Sequence, residues 1–265
     1  MPTTPVGSHV VYYDEHGEGH PLLLIPGIGL SRLTWWKQIQ PLSQKHRVLA
    51  MDNRDAGDSA SCCAPYAIAD MAEDVAGLIE NLQLAPASVM GWSMGGFIAL
   101  ELAVRHPALV EKLILVATSA GGPTQVPPAP EVMAVFMPNP GEDVETRERR
   151  NLALLTGQGY MQAHPEDFDQ WVRTVGAKPM APEAQQRQLA AVMTWEGVGD
   201  QLCQGCAAPT LVVHGDADPL VPYPNGQRLA AQIPNARLST YAGVGHLLPM
   251  EAAERLNREV LEFLG

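Results

Sequence analysis

The chain has 265 residues, 46% of them hydrophobic, and carries a formal net charge of −12. That much apolar material supports a sizeable core and excludes a disordered chain, while the acidic balance, without a basic stripe, excludes nucleic acid as a partner. No apolar run approaches the roughly 18 residues of a membrane-spanning helix, and Met1–Pro5 lacks the basic start of a secretion signal, so a cytoplasmic protein with no membrane partner is expected.

Strand-like and helix-like segments alternate along the first half. His9–Tyr13 reads as a strand, followed by a glycine-rich turn and the apolar strand Pro21–Ile25. Thr34–Gln44 reads as a helix and Arg47–Asp52 as a strand. Apolar residues at Met71, Val75, Leu78, Ile79 and Leu82 make a helical stripe. Ser88–Met90 is a strand, Gly96–Ala103 a helix, and Lys112–Ala117 a strand. The unbroken runs Leu22-Leu23-Leu24-Ile25 and Leu113-Ile114-Leu115-Val116 suit strands buried on both faces of a parallel sheet.

The alternation then stops. Six prolines (Pro123, Pro127, Pro128, Pro130, Pro138 and Pro140) crowd the stretch after Gly121, and Glu142–Leu202 reads as helical with no strand. Strands return at Thr210–His214 and Arg237–Tyr241, and Glu251–Leu264 reads as the last helix. The pattern predicts an α/β fold with a mostly parallel sheet and helices on both faces. Residues 1–120 and 206–265 form its core, and 121–205 form a helical cap inserted after the sixth strand, over the carboxyl end of the sheet. Arg147, Arg149 and Arg150, set among Glu142, Asp143, Glu145 and Glu148, read as a solvated helix face. Of the four cysteines, Cys62 and Cys63 suit a surface loop, and Cys203 and Cys206 suit small buried hydrophobes before a strand. No metal or other cofactor is assigned.

The chemistry rests on Gly91-Trp92-Ser93-Met94-Gly95, between a strand and a helix. A strand that turns sharply into a helix at Gly-x-Ser-x-Gly exposes the serine hydroxyl at the turn. That hydroxyl is a weak nucleophile until a base takes its proton, and an imidazole needs an acceptor on its other nitrogen to fix its tautomer. Candidates for both follow strands late in the chain, in His214-Gly215-Asp216-Ala217-Asp218 and Gly243-Val244-Gly245-His246. The histidines His9, His16, His20, His46, His106 and His164 read as surface residues, and His214 as packed.

Five motifs in order carry a resemblance: Ile25-Pro26-Gly27-Ile28-Gly29, Asp52-Asn53-Arg54 with Gly57 and Ser59, Gly91–Gly96, Pro209–Gly215 with Asp218, and Gly245-His246. In these, residues 9–118 and 209–264 resemble the α/β-hydrolase superfamily, and more narrowly its small esterases, 3-oxoadipate enol-lactonase-like enzymes and cofactor-free haloperoxidase-like enzymes. The resemblance implies Ser93 as nucleophile, His246 as base and Asp218 as the acid, with Asp216 the rival for that last role. It also implies an oxyanion hole from the backbone N–H groups of Ile28 and Met94, with Pro26 in place of the family's histidine. Asp55 stands where glycine is commoner, as in a branch resembling the methylesterases of aromatic polyketide pathways. Asp52–Ser59 reads as a structural turn with Arg54 paired to a carboxylate.

Trp92, Leu30, Val221 and Leu247 flank the motifs, and Phe136, Met137, Trp171, Met193 and Trp195 come from the insertion. Together they predict an apolar pocket without a charge clamp, hence a small, neutral, partly hydrophobic substrate. The function expected is carboxylic ester hydrolysis through an acyl-enzyme, with no cofactor. Lactonase, C–C bond hydrolase or perhydrolase action on the same triad is the alternative. A ligand receptor that keeps the fold would have no need of Asp218, and a homo-oligomer is compatible with the sequence.

Overall fold

A computed structural model describes residues 2–7, 9–133 and 141–265, without the side chains of Cys203 and Gln204. Its strands are β1 (Thr3–Val6), β2 (His9–His16), β3 (His20–Ile25), β4 (His46–Met51), β5 (Ala87–Trp92), β6 (Val110–Val116), β7 (Thr210–Gly215) and β8 (Arg237–Tyr241). They form one sheet in the order β1-β2-β4-β3-β5-β6-β7-β8. β2 runs antiparallel to both β1 and β4, and every other neighbouring pair is parallel.

Period-two alternation sends the apolar strand residues into two cores. Leu23, Ile25 and Val89 join the helices Ile68–Asn81 and Met94–Arg105 on one face. Leu22, Leu24, Met90 and Trp92 join the helix Ala253–Leu264 and several residues between β6 and β7 on the other. With both faces covered, β3, β5 and β7 are mostly apolar, their buried polar residues being Ser88, Thr210 and His214. Because parallel strands share one direction, the loops after β3, β5, β7 and β8 emerge at a common edge.

Between β6 and β7 the described residues contain helices and no strand. The longest are Val144–Leu155, Pro165–Ala177 and Pro182–Met193. No helix among the described residues is long and apolar enough to cross a membrane.

Local expectations changed in three places. The chain gains β1, which pairs with β2 but was too short and too polar for its sequence to announce. The helix expected over Thr34–Gln44 is two short pieces, a 3-10 turn at Arg32–Trp35 and one helical turn at Ile39–Leu42. Pro41 fits the break between them, since it has no N–H to donate to Lys37 C=O and its ring crowds that carbonyl, so the helix cannot run back through Lys37. The last helix is likewise divided, into Leu248–Glu251 and Ala253–Leu264.

His9 and His46 are buried, at 8% and 5% exposure, and are not surface residues. Each begins a strand and is carried into the sheet with it. The Asp52–Ser59 turn is closed by Ser59, whose hydroxyl accepts from Tyr12 N–H and donates to Asp52 C=O. Arg54 pairs with both carboxylate oxygens of Asp74. Cys62 is half-buried, Cys63 exposed and Cys206 buried.

Candidate active site

Ser93 follows β5 at φ 56° and ψ −119°, outside the helical region, and the helix Met94–Arg105 begins at the next residue. This strained turn is held by two bonds: Ser93 N–H donates to Val116 C=O at 3.0 Å, and the Thr118 hydroxyl donates to Ser93 C=O at 2.9 Å. It also requires bare backbone on both sides. A methyl group on Gly91 would overlap the Gly95 carbonyl, and one on Gly95 would overlap the Ile25 carbonyl.

Two further loops bring their side chains to this turn. His246 Nε2 lies 3.0 Å from Ser93 Oγ, and His246 Nδ1 lies 2.8 Å from Asp218 Oδ2. The other carboxylate oxygen of Asp218 accepts from Leu220 N–H and Val221 N–H, each at 2.9 Å, which locks its orientation. Asp216 points elsewhere and accepts from Gly243 N–H at 2.6 Å, as a loop carboxylate. All three of Ser93, Asp218 and His246 are less than a tenth exposed. Beneath Asp218, His214 donates from Nε2 to Val221 C=O at 2.7 Å, and burial lowers its pKa.

The His246 loop is held by the segment that ends the helix Val144–Leu155. His246 N–H donates to Leu155 C=O at 2.7 Å. Glu251 Oε2 accepts from Gly157 N–H at 2.6 Å and from Gly245 N–H at 3.1 Å, tying both loops to one carboxylate. Burial, reinforced by the negative charge of Asp218, raises the Glu251 pKa despite those two donors. Trp92 adds a bond from Nε1 to His246 C=O at 3.1 Å.

The backbone N–H groups of Ile28 and Met94 are not taken up by any described residue. Both residues border the same cavity as Ser93. A Cβ placed on Gly27 would stand 3.4 Å from the Ser93 Cβ, so the β3 loop passes close over the serine. The neighbouring Gly29 N–H donates to Gln188 Oε1 at 2.8 Å, and Gln188 Nε2 donates to Arg54 C=O at 2.9 Å. Gln188 is fully buried, and the residue before it, Arg187, makes a two-bond pair with Asp55. Asp55 has φ +69°, which accounts for the glycine commonly found there. Burial pushes its pKa up, but Arg187, Cys62 N–H and the Tyr66 hydroxyl outweigh this and hold it low.

Two cavities meet at Ser93. One, of about 130 Å³, is bordered by Leu30, Trp92, Trp171, Leu247 and His246; the other, of about 390 Å³, by Met94, Met193, Trp195 and Val221. Seven residues picked out as pocket candidates thus border cavities that Ser93 also borders, while Phe136 and Met137 lie outside the described residues. Trp195 also has structural work, stacking on Phe97 with ring centres 4.4 Å apart and donating to Glu101 at 2.8 Å.

The pocket expected to lack charge does not. Arg147 and Glu148 line the smaller cavity together with Asn151. Glu148 is buried, accepting from Trp171 Nε1 at 2.8 Å and Arg147 Nε at 2.9 Å. The face read as solvated is therefore divided: Asp143 and the Arg149–Glu145 pair are exposed, while Glu148 is buried and Arg147 half-buried beside the cavity. Charged residues near one another in sequence gave no sign of this, because which side of the helix is covered depends on Trp171. Gln188 carried no sequence signal either, its partners lying more than a hundred residues away.

Comparison with known proteins agrees with this architecture. Residues 20–253 match the family model described as the alpha/beta hydrolase fold. A Serratia proteamaculans protein proposed to be the carbamate hydrolase RutD is 31% identical over 262 residues, 96% of each chain. The enol-lactonase of Burkholderia xenovorans LB400 superposes with a TM-score of 0.83 at 26% identity, covering 99% of both chains. A thermophilic esterase from Thermogutta terrifontis gives 0.82 at 27% identity, covering 99% of this chain and 96% of its own. With the order of its strands, its elbow turn and a match over most of its length, the chain belongs to the α/β-hydrolase family and is a hydrolase.

Proposed function

We propose that this chain hydrolyses carboxylic esters of small molecules through an acyl-enzyme on Ser93, with residues 121–205 acting as a cap over the site. The observation that carries this reading is the unbroken relay from Ser93 Oγ through His246 to Asp218, at 3.0 and 2.8 Å. His246 takes the serine proton as Oγ attacks the ester carbonyl, and Asp218 holds the imidazole in the tautomer that can accept it. The carbonyl oxygen gains negative charge beside the Ile28 and Met94 N–H groups, which no described residue takes up, and such preorganised donors are worth about 10²–10³ in rate each. Collapse of the tetrahedral intermediate expels the alcohol, which takes the proton from His246. A water then repeats the sequence and releases the acid.

The test is hydrolysis of short p-nitrophenyl esters, with organophosphate labelling followed by peptide mapping. Activity that vanishes in Ser93→Ala, with label on Ser93, supports the reading. Label on another residue, or activity that survives the substitution, overturns it.

A lactonase reading is favoured by one observation, the enol-lactonase neighbour that aligns with nearly the whole chain. The chemistry would be the same, with the leaving alcohol remaining tethered to the acyl group. Comparing kcat/KM for an enol-lactone and for its open-chain ester separates the two.

A further inference from the structure

Accepting Ser93 as the nucleophile, we propose that the smaller cavity is a polar leaving-group subsite for an alcohol carrying an uncharged hydrogen-bonding group, a hydroxyl or primary amide. The larger cavity then takes an apolar acyl chain. The assignment of sides follows from the chemistry of the two steps. His246 must protonate the leaving alcohol, and it borders only the 130 Å³ cavity. Met94, beside the developing oxyanion, borders only the 390 Å³ cavity, whose other walls include Phe97, Val192 and Trp195.

Most of the polar lining of the smaller cavity comes from one helix, with Gln185 added from Pro182–Met193. Arg147, Glu148 and Asn151 all lie on Val144–Leu155, and all three border it. Asn151 is half-buried at the cavity wall, and its Oδ1 is covered and has no hydrogen-bond partner among the described residues. An unpaired buried acceptor is costly to retain, and a ligand that donates to it recovers that cost. Arg147 supplies the complement: among the described residues its side chain is hydrogen-bonded only through Nε, to Glu148. A group that both donates and accepts can therefore satisfy Asn151 and Arg147 together.

An anionic group fits less well. Glu148 already neutralises Arg147, so an incoming carboxylate would meet a like charge at close range and a carbonyl oxygen at Asn151. The site thus favours a neutral donor–acceptor group over a carboxylate, and over an alkyl group that leaves Asn151 unpaired. Sites that hydrogen-bond a substrate group reject analogues lacking it more strongly than apolar pockets reject a misfit.

The experiment uses hexanoate esters of matched size: pentyl, 4-hydroxybutyl and 3-carboxypropyl. A mirror pair, pentyl heptanoate and pentyl 6-hydroxyhexanoate, moves the hydroxyl to the acyl side. The wild-type protein should prefer the 4-hydroxybutyl ester over the pentyl ester by about tenfold in kcat/KM, and the carboxypropyl ester should be the poorest of the three. The mirror pair should show no such gain. Asn151→Leu should remove the preference by lowering kcat/KM for the 4-hydroxybutyl ester more than for the pentyl ester, and Asn151→Asp, which keeps an acceptor, should retain more of the preference. Equal rates on the two alcohol-side esters, a preference unchanged in Asn151→Leu, or a gain on the mirror pair instead would overturn the subsite. Ser93-dependent hydrolysis of the pentyl ester without the preference would defeat this proposal alone. Absence of any Ser93-dependent hydrolysis would defeat the esterase reading and this one with it.

Discussion

Gln188 Oε1 accepts the Gly29 N–H at 2.8 Å, joining a helix between β6 and β7 to the loop that presents Ile28 beside Ser93. The amide is fully buried and spends its other end on Arg54 C=O, so it braces two core loops against one another. A buried amide with both ends engaged is rigid, and rigid placement of donors is what stabilises a developing oxyanion.

Gln188→Leu should therefore lower kcat by about ten- to a hundredfold with little change in KM, because the interaction it disturbs tightens only as charge develops. Steady-state kinetics on a short aryl ester reads the split. Gln188→Glu keeps an acceptor for Gly29 and should retain more activity than Gln188→Leu. A rise in KM at constant kcat would place Gln188 in substrate binding instead.

The two candidate acids differ in what they touch. Asp218 meets His246 Nδ1, whereas Asp216 accepts only a loop N–H from Gly243. Asp218→Asn should cost on the order of 10⁴ in kcat by favouring the wrong imidazole tautomer. Asp216→Asn should retain activity within about a few-fold, since its amide oxygen can still accept the Gly243 N–H and the residue does not touch His246. Single-turnover rates of acylation for both variants check the pair.

Gly91→Ala should be among the most damaging small substitutions in the chain. Its methyl group would overlap the Gly95 carbonyl where strand and helix cross, and backbone on both sides leaves nothing that can rotate away. A loss of about 3 kcal/mol or more is expected, the range reached by forced steric conflicts in a packed interior. Urea unfolding followed by tryptophan fluorescence measures it.

Stability should decline in mild acid. Burial lowers the pKa of His9, His46 and His214 below the ordinary value of 6.5, with smaller charge effects from Asp74 at His9, His20 at His46 and Asp218 at His214. Above pH 6.5 these imidazoles are neutral in both the folded and unfolded chain and impose no penalty. As the pH falls through 6.5 the unfolded chain binds protons that the folded one refuses, so stability is lost progressively toward the lower folded values. Tm measured from pH 8 to pH 5 should fall, and His46→Gln should flatten the slope. His46 is the informative choice because burial is the largest influence on its ring and the positive charges of His20, Lys45 and Lys112 also disfavour its protonation.

Much of the site was legible in the sequence because its parts are tied to local patterns. Ser93 sits in a turn that only glycine neighbours permit, and Asp218 and His246 each follow an apolar strand at a short interval. Asp55 was visible as an oddity, and its positive φ supplies the reason that glycine is the commoner choice. His9 and His46 were misread, since a histidine at the start of a strand looks the same in sequence whether a neighbouring element covers it or water does.

The sequence by itself determined the sheet apart from β1, its apolar strand runs and the order of the candidate reacting groups, because strand burial and turn strain are imposed by residues a few positions apart. Only the tertiary structure decided which side of the helix Val144–Leu155 faces the serine, and that Gln188 reaches the Ile28 loop. Those outcomes depend on contacts between segments far apart in the chain, such as Glu148 with Trp171 and Arg187 with Asp55. A local pattern can show that a helix has a charged face; what covers that face is settled only when the rest of the chain packs against it.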